Sequence, residues 1–336
     1  MSTVNAAKPP RRYISSFQPS EYITGVFSIS NGQLGRTKND KPYLKCMIRD
    51  KTGELPARMW TIDPEYFRTL PSEGFVYIEA ETQPFQGELQ LILKAVEAVQ
   101  VDDQMLQELL PVTTKNIDAM FADVVALLGT LKHPAMQALA QTYLDDENLM
   151  TQFRRAPAAK SIHQAYIGGL LEHTLSLMKL TDVVCPLYPK MNRDLVLIGL
   201  FLHDLGKTRE LMYDRTFAYT DRGELIGHIV DGAVMLHDKV QTLMRVGGVR
   251  LPKNVYTVLQ HIIISHHGVP EFGAAKLPST PEAILVAVLD NLDAKATMSL
   301  AAARPDREES NDFGSNFTER QFALDTKLFK PDPLAD

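Results

Sequence analysis

The sequence has very little cysteine: Cys46 and Cys185 are the only two among 336 residues, and they stand far apart. This scarcity excludes a disulfide framework and a cysteine-based zinc site, because both need several cysteines at short spacings. Two isolated thiols are typical of a protein that stays in a reducing compartment. We therefore expect a cytoplasmic protein.

Long hydrophobic runs are also missing. The longest strongly apolar run, residues 195–202, is much shorter than the roughly 20 residues that a membrane-spanning helix needs. Residues 1–12 carry charges with no apolar stretch behind them. We therefore expect neither a secretory signal nor a membrane-embedded segment.

An overall surplus of basic charge is absent as well. The formal net charge is −6, which argues against a protein that coats nucleic acid by charge alone. Residues 34–58 are an exception, with seven basic and three acidic side chains. This local surplus indicates either contact with a polyanion or a solvated strand face, and charge alone leaves both open.

What is present is the composition of a folded protein, with 45% hydrophobic and 23% charged residues and a length that allows two domains. Residues alternate between apolar and polar, as in strands, over 21–30, 42–50, 54–60, 75–80 and 89–96, and 64–70 is a predicted short helix. Five strands with a helix after the third predict an OB-type barrel in residues 1–100, a pattern that other small barrels share.

The periodicity becomes helical after residue 101. Apolar residues recur at spacings of three and four in 116–131, 134–144, 167–184, 194–205, 223–245, 252–267 and 281–303. We predict a helical connector at 101–160, an all-α domain at 161–310 and a tail at 311–336 that lies over the surface. The predicted fold class is multidomain, with an all-β barrel followed by an all-α helical bundle.

Histidines and aspartates lie on or beside the apolar helices of the second domain. In chain order they are His173, His203-Asp204, His228, His266-His267 and Asp290. Each of them alone is explained as well by a core histidine, a surface pair or a helix cap. A buried carboxylate costs several kcal/mol unless it is paired or coordinated, so the set predicts a metal site. His237 and His261 have no carboxylate partner in view, and we expect both to be structural.

Imidazole nitrogen combined with carboxylate oxygen indicates the class of ion. This mixed ligand set suits manganese, iron, cobalt, nickel or zinc better than calcium, which prefers oxygen ligands alone. No cysteine is among the candidates, which argues against a structural zinc site. The sequence therefore predicts a divalent transition metal.

The order His173, His203-Asp204, Asp290 resembles the HD-domain metal phosphohydrolase superfamily, and the additional histidines resemble its two-metal members. This resemblance implies two ions with Asp204 bridging them. The implied ligands are His173, His203 and Asp290 for one ion and His228, His266 and His267 for the other. The cyclic-dinucleotide phosphodiesterase branch is not indicated, because Gly-Val-Pro rather than Gly-Tyr-Pro follows the double histidine.

Nearly the whole chain is similar to the YhaM-type 3′→5′ exoribonucleases, in which an OB-type domain, a helical connector and an HD domain follow in this order. The stretches that carry the similarity are 163–174, 203–207, 265–268, 290–295 and 322–331. The resemblance implies a metal-dependent hydrolase that digests single-stranded RNA, with single-stranded DNA as a second candidate substrate. Manganese is the favoured ion, and iron, cobalt and nickel are the alternatives.

Three residues are candidates for catalysis under this resemblance. Asp204 is expected to position the attacking water between the metals. Lys207 is expected either to stabilise charge on a phosphate oxygen or to be an exposed lysine favoured by the helix dipole. His163 is expected to contact substrate phosphate or to act as an acid near the leaving group. Asp293 is expected to support or salt-bridge the site rather than to bind metal.

The barrel is expected to hold the polymer. OB surfaces stack bases on aromatic rings, and basic side chains follow the backbone. The candidate nucleic-acid-binding residues are Tyr43, Lys45, Arg58, Trp60 and Phe85. For Trp60 and Phe85 the alternative is burial in the barrel core.

Two other functions stay open from the sequence. One is a phosphohydrolase or phosphodiesterase of free nucleotides, in which the barrel serves assembly. The other is a nucleic-acid-binding regulator with a structural or vestigial metal site, against which the complete ligand set argues. The oligomeric state is also open, and a homo-oligomer is compatible with the sequence.

Overall fold

The computed structural model describes residues 11–85, 88–159, 164–213, 217–304 and 316–334. The chain divides into two compact units. One unit contains the described residues up to Val112, and the other contains most of the described residues from Thr113 onward.

The first unit is built on a five-stranded closed barrel with the strand order β1-β2-β3-β5-β4. The strands are β1 (Tyr22–Arg36), β2 (Pro42–Asp50), β3 (Gly53–Met59), β4 (Gly74–Phe85) and β5 (Glu88–Ala98), with the short helix α1 (Pro64–Phe67) between β3 and β4. Strands β3 and β5 pair in parallel, and the other neighbours pair antiparallel. This architecture confirms the predicted OB-type barrel.

Strand β2 shows why the sequence folds this way. Leu44, Cys46 and Ile48 are buried in the barrel core at alternate positions, so Tyr43 and Lys45 belong to the outer face. Across the ladder, Lys45 of β2 is paired with Arg58 of β3. The outer face of these two strands therefore carries basic side chains next to each other.

Three element ends in the barrel differ by three residues or more from the sequence prediction, one of them the end of β4, which lies at Phe85 rather than at residue 80. Helix α1 starts as predicted, with Pro64 in its first turn and Asp63 accepting a hydrogen bond from the Glu65 amide at 2.8 Å, but it ends at Phe67. Strand β1 continues six residues past the predicted end at residue 30, to Arg36. A register shift between Ser30 and Gln33 accommodates this length, because a bulge lets a strand bend and keep pairing.

Eleven further helices follow among the described residues, which confirms the predicted helical region. They are α2 (Asp103–Leu109), α3 (Ile117–Leu128), α4 (Pro134–Leu144), α5 (Glu147–Arg155), α6 (Gly169–Val184), α7 (Arg193–Leu202), α8 (Lys207–Glu210), α9 (Asp221–Leu225), α10 (Gly227–Gly247), α11 (Lys253–Ser265) and α12 (Pro281–Ala303). A two-residue ladder that the sequence did not indicate joins β6 (Leu211–Met212) to β7 (Ala218–Tyr219).

The helix predicted over 223–245 is split in two. Helix α9 ends at Leu225, and α10 begins at Gly227, whose φ of +75° is a left-handed conformation that glycine adopts at little cost. After this turn, the backbone N–H of His228 donates a hydrogen bond to Oε1 of Glu210 at 3.0 Å. The break in the helix therefore sets the position of a candidate ligand.

The described part of the tail, residues 316–334, contains two isolated antiparallel bridges, Phe317 with Phe329 and Gln321 with Thr326. Most of its side chains are exposed, Phe322 and Leu334 almost completely. Across the described residues, no helix combines the length and the apolarity needed to cross a bilayer.

Candidate metal centre

Five helices of the second unit bring the seven candidate ligands together. His173 lies on α6, His203-Asp204 directly follow α7, His228 is the second residue of α10, His266-His267 follow α11, and Asp290 lies on α12. Helix α7 is buried along its apolar length, so the residues at its C-terminal end emerge inside the unit. His203 and Asp204 are accordingly almost fully buried.

Asp204 lies at the centre of the cluster, and its two oxygens face different histidines. Oδ2 lies 3.3 Å from Nε2 of His203 and 3.7 Å from Nε2 of His173. Oδ1 lies 3.5 Å from Nε2 of His228 and 3.4 Å from Nε2 of His266. One carboxylate therefore faces two separate groups of nitrogen donors.

Each group has the residues and spacing of a metal site. His173, His203 and Asp204 offer ligand atoms that all lie within 4.8 Å of one another, and so do Asp204, His228, His266 and His267. Oδ1 of Asp290 adds to the first group, 3.1 Å from Nε2 of His173 and 3.9 Å from Nε2 of His203. The structure thus brings together all seven residues that the sequence singled out as ligands.

Hydrogen bonds at the opposite ring nitrogen orient all five imidazoles. Nδ1 lies 2.7 Å from the Leu200 carbonyl in His203, 2.7 Å from the Ile263 carbonyl in His266 and 2.5 Å from the Phe272 carbonyl in His267. In the other two, Nδ1 lies 2.7 Å from Asp293 in His173 and 2.8 Å from Glu210 in His228. Because a carbonyl oxygen only accepts, Nδ1 carries the proton in the first three rings, and their Nε2 lone pair faces the cluster.

Four buried nitrogen and oxygen atoms of the cluster have no hydrogen-bond partner among the described residues. They are Nε2 of His203, His228 and His266, and Oδ1 of Asp204. Native proteins rarely leave buried polar atoms unsatisfied, since each costs about 1–3 kcal/mol. Bound cations in the two groups would satisfy these atoms, so the ligand set fits metal ions.

The electrostatics of the second group also suit a metal. Burial, reinforced by the neighbouring His266, lowers the pKa of His267 to about 4. Burial likewise lowers the pKa of His266. Burial alone raises the pKa of Asp204, but the charge of Lys207 and the adjacent imidazole of His203 outweigh burial and hold that pKa well below its usual value. His266 and His267 therefore offer neutral imidazoles and Asp204 offers an anionic carboxylate, the protonation states that bind metal ions.

His173 differs from its neighbours. Burial lowers its pKa, but hydrogen bonds to Asp290 and Asp293 outweigh burial and raise the pKa to about 9. A proton and a metal ion therefore compete for this ring at neutral pH. Metal binding at His173 releases that proton, as is general for histidine sites.

The remaining site predictions fare differently. Lys207 is mostly buried, with Nζ 2.7 Å from Oδ2 of Asp204, so the alternative of a solvent-exposed lysine is wrong. His163 lies outside the described residues. His237 contacts the Tyr256 hydroxyl at 3.0 Å, and His261 accepts a hydrogen bond from the Ser279 amide at 2.8 Å, consistent with the structural roles expected for both.

Glu210 belongs to the cluster and was missed by the sequence analysis. It lies on α8 and His228 lies on α10, so no periodicity within one helix links the two residues, and Glu210 follows a lysine and an arginine in an otherwise polar turn. No periodicity marked it as buried. The signal available was a carboxylate close after the His-Asp pair, which alone is not specific.

The candidate nucleic-acid-binding residues lie together on the barrel. The rings of Tyr43 and Trp60 are 5.7 Å apart, and the Arg58 guanidinium lies 5.8 Å from the Trp60 ring and 5.1 Å from the Phe85 ring. Trp60 is 48% exposed and Phe85 is 45% exposed, so neither is a core residue. With Lys45 across the ladder from Arg58, they form one aromatic and basic surface, which we call the barrel face.

Two sequence comparisons relate this chain to known proteins. Residues 170–295 match the family model of the HD domain. The chain is 29% identical over 320 residues to the 3′-5′ exoribonuclease YhaM of Geobacillus sp. (strain WCH70), covering 94% of both chains. Among solved structures it matches the HD domain of the L. monocytogenes phosphodiesterase PgpH with 17% identity and a TM-score of 0.27, over 45% of this chain and 74% of that one. The predicted similarity to HD domains and to YhaM-type proteins is confirmed.

Metal binding at this cluster has a direct thermodynamic consequence. We predict that manganese raises the melting temperature of the metal-free protein, because an ion that binds only the folded state at 100 times its Kd adds about 2.7 kcal/mol. That corresponds to roughly 5–10 °C for a unit of this size. The Asp204→Ala variant should lose this shift, since it removes the carboxylate shared by both groups. Differential scanning calorimetry with and without manganese measures it.

Asp123→Ala is the matched control, because Asp123 is an exposed carboxylate paired with Lys179 away from the cluster. It should keep the full shift. An equal shift in the Asp204→Ala variant would place the ion elsewhere.

Proposed function

Because this chain carries an HD domain and is similar along almost its whole length to a YhaM exoribonuclease, we propose that it is a metal-dependent 3′→5′ exoribonuclease. It hydrolyses phosphodiester bonds of single-stranded RNA at the cluster around Asp204. The observation that carries the proposal is the cluster that the other six candidate ligands form around that one carboxylate. A cytoplasmic location fits this activity and the two buried, unpaired cysteines.

Two divalent transition-metal ions belong to the proposed site, with manganese favoured and iron, cobalt or nickel as alternatives. The first would be held by His173, His203 and Asp290, and the second by His228, His266 and His267, with Asp204 shared. Such a pair of ions polarises phosphoryl oxygens and lowers the pKa of water, which supplies a nucleophile at neutral pH.

The side chains of the protein provide orientation and charge. Asp204 stays anionic at the centre, and its two oxygens face opposite groups of imidazoles. The Lys207 ammonium, mostly buried beside Asp204, stabilises negative charge that develops on a non-bridging phosphate oxygen. His163 is proposed to contact the phosphate or to protonate the leaving oxygen.

The barrel face is proposed to bind the polymer. Tyr43, Trp60 and Phe85 offer ring surfaces for unstacked bases, and Lys45 and Arg58 offer positive charge for the backbone. Exposure of Trp60 and Phe85 beside the Arg58 guanidinium supports this proposal, because exposed rings next to cations are what single-stranded binding requires. Single-stranded DNA is a second substrate to compare, since stacking does not distinguish the two sugars.

The first prediction concerns activity. With manganese, 5′-labelled single-stranded RNA should shorten stepwise from its 3′ end in a time course resolved on a sequencing gel. A circular RNA of the same sequence should resist, because it has no 3′ end. The His203→Ala/Asp204→Ala protein and a chelator-treated sample should leave the linear RNA intact. The variant lacks two candidate ligands, and the chelated sample lacks the metal ions.

Other outcomes identify the alternatives. Digestion of the circular RNA would indicate an endonuclease and contradict the proposal. Intact RNA together with consumption of mononucleotides would establish a nucleotide phosphohydrolase. RNA binding with a full metal content and no turnover on any phosphodiester would establish a non-catalytic regulator.

The second prediction concerns the barrel face. Trp60→Ala and Phe85→Ala should each weaken binding of single-stranded RNA by about 5- to 150-fold, because one base stack is worth about 1–3 kcal/mol. Arg58→Ala should weaken binding and also reduce its salt dependence, since one phosphate contact is lost. Fluorescence anisotropy in the presence of chelator measures binding without digestion.

Tyr22→Ala provides the matched control. Tyr22 is also an exposed aromatic residue of the barrel, but its hydroxyl donates to Glu79 at 2.6 Å rather than facing a basic group. This variant should bind RNA like the wild type. Equal losses in all three aromatic variants, or no loss in any, would contradict a role for the barrel face.

A further inference from the structure

Two carboxylates outside the ligand set, Glu210 and Asp293, contact one candidate ligand each. We propose that they are positioning residues that act on different metal positions, Glu210 on the second through His228 and Asp293 on the first through His173. The proposal rests on the two-metal site proposed above. Each ion would have its own supporting carboxylate, so that a substitution can weaken binding of one ion without weakening binding of the other.

Glu210 holds His228 by two bonds. Its Oε1 accepts from Nδ1 of His228 at 2.8 Å and from the backbone N–H of the same residue at 3.0 Å. One oxygen therefore fixes both the ring and the main chain of the ligand. Nε2 of His228 is left 3.5 Å from Oδ1 of Asp204.

The backbone around Glu210 explains why it stays in place. Its carbonyl accepts from the Thr220 amide at 2.9 Å and from the Thr220 hydroxyl at 3.2 Å. Nearby, Gly206 packs directly on the carbonyl of His228, where a Cβ would lie only 2.0 Å from that oxygen. The segments that carry Asp204, Glu210 and His228 are thus in backbone contact. The Glu210 side chain therefore lies close enough to bond to the His228 imidazole.

Asp293 does the same for the other group. It lies on α12 three residues after Asp290, so the two carboxylates share one side of the helix. Oδ2 of Asp293 lies 2.7 Å from Nδ1 of His173, and Oδ1 of Asp290 lies 3.1 Å from Nε2 of the same ring. The ring is held from both nitrogens by one helix.

The other three candidate histidine ligands are oriented differently. His203, His266 and His267 contact main-chain carbonyls through Nδ1, and no side-chain substitution removes a carbonyl. Within the described residues, Glu210 and Asp293 are therefore the side chains that contact Nδ1 of an imidazole of the cluster. One of them serves each group.

The test is metal binding by the full-length protein, measured as manganese per chain and by electron paramagnetic resonance. Glu210→Ala should weaken the binding of one of the two ions by about 10- to 100-fold, the usual cost of removing a side chain that orients a ligand. At limiting manganese the spin-coupled signal of a metal pair should give way to that of an isolated ion. Glu210→Gln should keep most of the affinity, because its amide oxygen still accepts both N–H groups.

Combining variants assigns the positions. Glu210→Ala added to His228→Ala should cause no further loss, since Glu210 acts through that ring. Asp293→Ala added to His228→Ala should weaken binding of the first ion as well, since Asp293 acts through His173. Glu224→Ala, which removes an exposed carboxylate of α9, is the charge-matched control and should bind two ions normally.

Normal binding of both ions by a folded Glu210→Ala protein would overturn the proposal, and so would a loss in Glu210→Gln equal to that in Glu210→Ala. A wild type that binds two ions but leaves RNA intact would contradict the proposed function and leave this inference standing. A wild type that binds no metal would contradict both.

Discussion

The buried carboxylate of Asp204 is the constraint on which the second unit depends. A carboxylate at 2% exposure costs several kcal/mol unless positive charge or hydrogen bonds compensate it. Lys207 satisfies one oxygen, and the other faces the Nε2 atoms of His228 and His266, which have no hydrogen-bond partner of their own among the described residues. A cation at this position would stabilise the fold and would also supply what the proposed phosphodiester hydrolysis needs. Stability and chemistry therefore follow from the same interaction.

The same constraint explains how the helices meet. The ligands come from residues at or near the ends of α7, α10 and α11 and from the interiors of α6 and α12. The last carbonyl groups of a helix have no partner within the helix. Those of Leu200 and Ile263 accept hydrogen bonds from Nδ1 of His203 and His266. Where the ligand lies inside a helix or at its start, as His173 and His228 do, a carboxylate side chain contacts Nδ1 instead. The type of support follows from where in its helix each ligand lies.

Much of the fold and of the candidate site was predictable from the sequence. Alternation in β2 predicted its buried residues, and aspartates on apolar helices predicted the metal cluster because a buried charge needs a partner. The parallel pairing of β3 with β5 was not predictable, since strand pairing depends on closure of the barrel. Glu210 was missed because its role depends on the turn at Gly227, which splits a helix whose apolar pattern continues across it. Exposure of Trp60 and Phe85 was undecided because both lie at or beyond strand ends, where alternation no longer indicates the face.

The central claim is that one carboxylate is shared by two metal ions. A crystal structure of the manganese-loaded protein, with anomalous differences collected at the manganese edge, tests it most directly. We expect two anomalous peaks, one within bonding distance of His173, His203 and Asp290 and the other within bonding distance of His228, His266 and His267, with Asp204 within bonding distance of both. A single peak, or a pair that leaves Asp204 bonded to only one ion, would contradict it.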